Sequence, residues 1–81
     1  MRLAGIQIPD QDVADLARRV DEPTRSVLEK ALAFGTTVVA LSVPDREQLL
    51  WALDDAQSDA LAELRGVLLW EHEWRVREGL V

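Results

Sequence analysis

His72, the one histidine of the chain, sits in the run Glu71-His72-Glu73-Trp74-Arg75-Val76. The run shares its opening with the H-E-x-x-H pattern that sets two imidazoles on one helix face for zinc. The second imidazole position is Val76, and Glu71 and Glu73 point about 100° to either side of His72 on a helix, so these side chains do not converge on one ion. A surface histidine is the expectation. A hydroxyl nucleophile needs an adjacent base and oxyanion donors, and a lone histidine among acids, with no glycine-rich turn, supplies neither. Asp54 and Asp55 are neighbours that diverge on a helix and make no acid–base couple. The four glycines are scattered at positions 5, 35, 66 and 79, which excludes a phosphate-cradling loop. The chain has no cysteine, hence no disulfide, thiolate metal site or sulfur nucleophile. These residues predict a chain that is not an enzyme, holds no metal or cofactor, and works by binding.

Eighty-one residues allow one domain, spanning 1–81, and a chain this short buries only about 60% of the surface its unfolded form exposes. With 48% of residues apolar it is too hydrophobic for intrinsic disorder. The net charge of −6 opposes non-specific attraction to phosphate backbones and anionic membranes. That charge is uneven: residues 1–35 carry five bases against six acids, residues 36–81 four against nine, so nucleic-acid contact would have to come from the first part. No apolar run of membrane-spanning length and no signal-peptide pattern is present, which makes a cytoplasmic location the expectation. Eight Arg to one Lys, beside abundant Ala, Leu and Val, hints at a GC-rich bacterial source.

The elements that must position any binding surface are punctuated by proline and glycine. Residues 3–8 read as a short strand ended by Pro9. An amphipathic helix over Asp10–Val20 would bury Val13, Leu16, Ala17 and Val20, with acids in its first turn and Arg18 and Arg19 near its end. Asp21 caps a second helix over about Pro23–Phe34, burying Val27, Leu28, Ala31 and Leu32 and stopped by Gly35. The β-branched run at 36–42 is the best strand in the chain. Ser42-Val43-Pro44-Asp45 has the form of a capping box and opens a third helix through about Ala56, with Leu49, Leu50, Leu53 and Ala56 as its buried stripe. The acids at 54 and 55 should end it. Ser58 or Asp59 caps a fourth helix to about Glu78, with Gly79 beyond. Residues 6–12 (IQIPDQD) align with 41–47 (LSVPDRE) at an offset of 35, as a degenerate β-α-α repeat would.

On a wheel of 100° per residue, the fourth helix places Leu61, Leu64, Leu68, Leu69 and Val76 on one side and Ala60, Val67, Trp70 and Trp74 nearly opposite. Either both faces are core, or the tryptophan face docks on a second subunit or another protein, where aromatic anchors are enriched. Trp51 points away from the Leu49/Leu53 stripe and could meet Trp70 and Trp74. Glu71–Arg75 and Glu73–Arg77 fit i,i+4 pairs on a solvated rim.

Residues 2–32, a short strand ending at a proline, an amphipathic helix, a turn with a small polar cap and a second helix, are similar to the ribbon-helix-helix repressors and antitoxins. The resemblance implies a dimer that pairs strands between subunits and lays the ribbon in the major groove. Ile6 and Ile8 would then face inward and Leu3, Gly5 and Gln7 the DNA, with Gln7 the hydrogen-bonding side chain among them. Thr24, Arg25 and Ser26 would anchor a phosphate at the second helix's start. The acidic, tryptophan-bearing part from Thr36 onward would bind a toxin.

Together these readings predict an α+β fold, mostly helical, in the order β-α-α-β-α-α, with two short strands pairing within the chain or across an isologous homodimer. The leading function is a non-catalytic interaction or regulatory domain whose partners are itself and another protein, with no membrane. Its candidate interface is Val67, Trp70, Trp74 and Trp51, with Val38 and Ala40 on the second strand. The alternative is a ribbon-helix-helix DNA binder acting through Gln7, Thr24, Arg25 and Ser26.

Overall fold

The computed structural model describes residues 1–55 and 58–80. Its elements are β1 (Arg2–Leu3), β2 (Ile6–Gln7), α1 (Asp10–Ala17), α2 (Thr24–Ala33), β3 (Val38–Val39), α3 (Val43–Ala52) and α4 (Asp59–Arg77). The fold is α+β, mostly helical, and the order β-α-α-β-α-α is the one the sequence predicts. The first strand differs from expectation. Ala4 (φ 50°) and Gly5 (φ 83°) both have positive φ, the condition for a tight type I′ turn, so residues 2–7 double back as a hairpin pairing Leu3 with Ile6. Ala-Gly is a weak turn signal beside Asn-Gly, which is why one strand reads where two exist.

β1 is the middle strand of a three-stranded sheet ordered β2-β1-β3, antiparallel to β2 and parallel to β3. The strands thus pair within the chain. The predicted strand at 36–42 contracts to Val38–Val39 because its one partner, β1, offers only two residues of ladder. The segments aligned as a repeat agree in part: residues 10–12 and 45–47 both lie at the start of a helix, while residues 6 and 7 form β2 and Ser42 is the N-cap of α3.

The helix ends follow from local chemistry. Gly35 (φ 65°) and Gly79 (φ 71°) adopt the left-handed conformation past α2 and α4. There Thr36 and Leu80 donate backbone N–H groups to Ala31 and Arg75 at 2.9 and 2.8 Å, closing each helix in a Schellman motif. Ser42 and Asp45 form the predicted capping box, and the Ser58 hydroxyl accepts from Leu61 N–H. α3 ends at Ala52, earlier than expected, which leaves Asp54 and Asp55 in the following turn, off the negative end of the helix. The predicted burial of Ala56 falls outside the described residues. α1 ends at Ala17 rather than Val20, and Arg25 Nε donates to the carbonyls of Val20 and Ala17 at 3.0 and 3.3 Å. The start of α2 therefore satisfies orphan acceptors at the end of α1. Asp21 is not the cap of α2; Pro23 holds that position without a side-chain hydrogen bond.

All four helices feed one core containing Leu3, Ile8, Leu16, Leu28, Leu49, Leu53, Leu64 and Leu68. Val13, Ala17 and Val20 are buried as predicted, while Val27 and Leu32 are only partly so. Among the described residues no helix is long and apolar enough to cross a membrane.

One buried polar contact joins α2 to α3. The hydroxyl of Thr24, 1% exposed, donates to Asp45 Oδ1 at 2.7 Å and has Gln48 Oε1 as a second acceptor at 3.0 Å. Burial pushes the Asp45 carboxyl up, but hydrogen bonds from the Thr24 hydroxyl and from Ser42's hydroxyl and backbone outweigh it and hold the group below its ordinary value. A carboxyl whose folded pKa lies below its unfolded one contributes stability above the unfolded value and loses it as pH falls through the folded one. Asp45→Asn is therefore expected to cost about 1–2 kcal/mol at neutral pH. The difference from wild type should shrink as pH drops below about 4, in urea titrations followed by circular dichroism. A deficit constant down to acid pH would show that the lost charge is not its cause.

Candidate functional site

α3 and α4 are fixed to one another by a charged clamp over their leucine core. Glu47 on α3 receives His72 Nδ1 at 2.7 and 2.9 Å and Arg75 Nε at 3.4 Å, both from α4. Arg46 spans Glu71 with Nη1 at 2.8 and 2.9 Å and donates Nε to the Leu41 carbonyl at 3.2 Å. Four predictions are corrected here. His72 is half-buried and committed to Glu47 rather than a free surface group. Glu71 pairs with Arg46 and Arg75 with Glu47, not with each other. Glu73 and Arg77 form no ion pair among the described residues. Val76 is exposed, and Arg75 takes its expected place in the buried stripe. The first, second and fourth share a reason: the last turns of α4 lie against the acidic start of α3, where an arginine and a histidine find a carboxylate and a valine would not. Glu47 and His72 converge, but the third group there is a cation, and among the described residues no cluster of three or more potential ligands forms a metal site.

With Leu61, Leu64, Leu68 and Arg75 turned inward, the opposite face of α4 carries Val67, Trp70 and Trp74. Trp70 is 65% exposed and Trp74 43%, with Val67 half-buried beside them. Of the two readings of this face, core or surface, the fold selects surface. Trp51, 60% exposed, does not join them. Its ring meets His72 edge-on at 5.4 Å between centroids, and His72 lies about 160° around the helix from both Trp70 and Trp74. The three tryptophans thus form two separate aromatic surfaces.

Comparison with family models, with curated proteins and with solved structures finds no match to this chain. Its site must be read from its own geometry.

A third apolar surface lies at β3. Val27, Phe34, Val38 and Ala40 line a shallow groove between α2 and the sheet edge, with Phe34 82% and Val38 65% exposed. No strand pairs with the outer side of β3 among the described residues, so alternate backbone groups along it are open to another chain. Lys30 is the one charged residue lining this groove.

The residues that the ribbon-helix-helix resemblance assigns to DNA are not brought together. Gln7 is exposed on β2, but Leu3, expected to face outward beside it, is 0% exposed in the core. Thr24 is buried on Asp45, Arg25 holds the end of α1, and the Ser26 hydroxyl is given to Glu22.

Proposed function

We propose that this chain is a non-catalytic interaction domain that docks a protein partner on the Val67/Trp70/Trp74 face of α4 and pairs with a second copy of itself at the β3 edge. The observation that carries the reading is the exposure of Trp70 and Trp74 on a helix whose other face already fills the core. Large aromatic side chains left in water cost hydrophobic energy that burial in an interface would recover, and each brings about 150–250 Å² of contact surface. The near-neutral groove at Val38 supports self-pairing, since two copies meet there with little like-charge repulsion. Eight Arg to one Lys supports a bacterial origin, and the cytoplasm is the location we propose.

Light scattering across a dilution series is expected to give a dimer that dissociates on dilution, and Val38→Lys, which puts a charge on the open edge, is expected to give a monomer at every concentration. A wild-type monomer throughout would overturn the self-pairing. Trp70→Ala with Trp74→Ala should leave helical circular dichroism intact; unfolding of that double variant would make the rings part of the fold and remove the docking face.

A further inference from the structure

The surroundings of Trp70 and Trp74 are chemically one-sided. Helical spacing at 100° per residue puts Asp59 and Glu63 within about 20° of the Trp70 direction, Glu73 within about 60°, and Glu78 about 40° from Trp74. Arg77 is the lone base on this face. All four acids are exposed, and among the described residues none of them is in an ion pair, whereas Glu71 on the inner side of the same helix and Glu47 on the facing α3 are both used. Gly66, one turn before Trp70, is a second anomaly. Glycine inside a helix is destabilising, and here no packing requires it, because a Cβ at this position would meet nothing within 4 Å. Its effect is that the exposed helix surface one turn before Trp70 carries no side chain.

From this arrangement we infer that the α4 face is a docking site for a cationic, amphipathic peptide segment of another protein, whose apolar side chains cover Trp70 and Trp74 over Gly66 while its Arg or Lys side chains meet Asp59, Glu63, Glu73 and Glu78. The inference rests on the reading of this face as a docking surface and adds the partner's chemistry. Guanidinium and ammonium groups are attracted both to carboxylates and to the faces of indole rings, so the same side chains answer both features of the surface. A second copy does not fit: it would set these acids against acids, which disfavours association. An anionic partner fails for the same reason.

The test uses the full chain carrying Trp51→Phe, so that Trp70 and Trp74 are the only indoles, and three synthetic peptides. One is a Leu/Arg peptide of helical periodicity, the second its Leu/Glu counterpart, and the third a Ser/Arg peptide of equal positive charge. Indole emission should shift with the Leu/Arg peptide alone, with affinity falling about tenfold between low and high salt as screening removes the ionic part. Glu63→Lys with Glu73→Lys should weaken binding by roughly tenfold or more, while Asp21→Lys with Glu29→Lys, exposed acids elsewhere, should change it by less than about twofold. No binding of the Leu/Arg peptide, equal binding of the Leu/Glu or Ser/Arg peptide, or indifference to Glu63→Lys/Glu73→Lys would overturn the cationic, amphipathic partner. An equal loss in the Asp21/Glu29 control would reduce the effect to net charge and overturn it too. The docking face itself falls by a different result: labelled Leu/Arg peptide bound equally well, by anisotropy, to the folded Trp70→Ala/Trp74→Ala variant.

Discussion

Leu68→Ala is expected to destabilise the chain by about 3 kcal/mol and to lower its melting temperature by about 15 °C, since a domain of this size loses several degrees per kcal/mol. Leu68 is 0% exposed and belongs to the single core to which α3 and α4 both contribute. Truncation removes the transfer energy of its methyl groups and leaves a cavity that its leucine neighbours cannot close. Two residues along the same helix, Trp70→Ala deletes a larger apolar side chain, yet it should stay within about 0.5 kcal/mol of wild type because that ring faces water. Denaturant midpoints for the two variants at equal slope decide the matter. With a total stability on the order of 5 kcal/mol, Leu68→Ala should be partly unfolded near physiological temperature. Equal losses for both variants would mean that Trp70 packs against the fold, and the interaction face would be gone.

Glu47→Ala is expected to cost about 3 kcal/mol, by stranding a buried cation. Arg75 is 8% exposed. Its Nη2 lies 3.3 Å from Glu47 Oε1 in a charge contact without hydrogen-bond alignment, and that nitrogen is buried with no other partner. Glu47 is the one carboxylate paired with Arg75 among the described residues. Removing it also releases His72, and with it the edge-on contact to Trp51. The loss comes from the unpaired charge rather than from any large net stabilisation by the pair, so replacing both partners with apolar residues should recover most of it. Glu47→Leu with Arg75→Met is expected within about 1 kcal/mol of wild type. Urea unfolding of the single and double variants at neutral pH tests this. A double variant as unstable as Glu47→Ala would show that the clamp contributes through its geometry instead.

Both expectations turn on the rotation of α4, which helical spacing reveals in part. The stripe Leu61, Leu64, Leu68 was legible from helical spacing, and Arg75 lies on that stripe, seven residues past Leu68. A strict wheel places Arg75 inward; preference for an apolar residue points to Val76 instead. The partner of Arg75 was not legible, because Glu47 is 28 positions away and nothing in either segment marks the pairing. The exposure of Trp70 and Trp74 stood as one of two open readings, since a helix with two apolar faces is equally a central helix or a surface helix with an interface. The separation of Trp51 from them was not legible, because it depends on which side of α4 receives α3.

The features readable from residue order alone are those set within about five residues of chain. The capping box of Ser42 and Asp45, the Ser58 cap, the left-handed stops at Gly35 and Gly79 and the leucine stripes each rest on hydrogen bonds or spacing internal to one helix and its flanks. The rest depends on how the elements pack. That packing chose the parallel pairing of β3 with β1 that leaves β3 at the edge, the burial of Thr24 on Asp45 that takes it away from any phosphate, and the Glu47 clamp that turns α4 so its tryptophans face water. These features follow from how two helices or two strands are placed and rotated against each other. That choice is made by the total burial and pairing of the whole core, and the periodicity within any one element is indifferent to it.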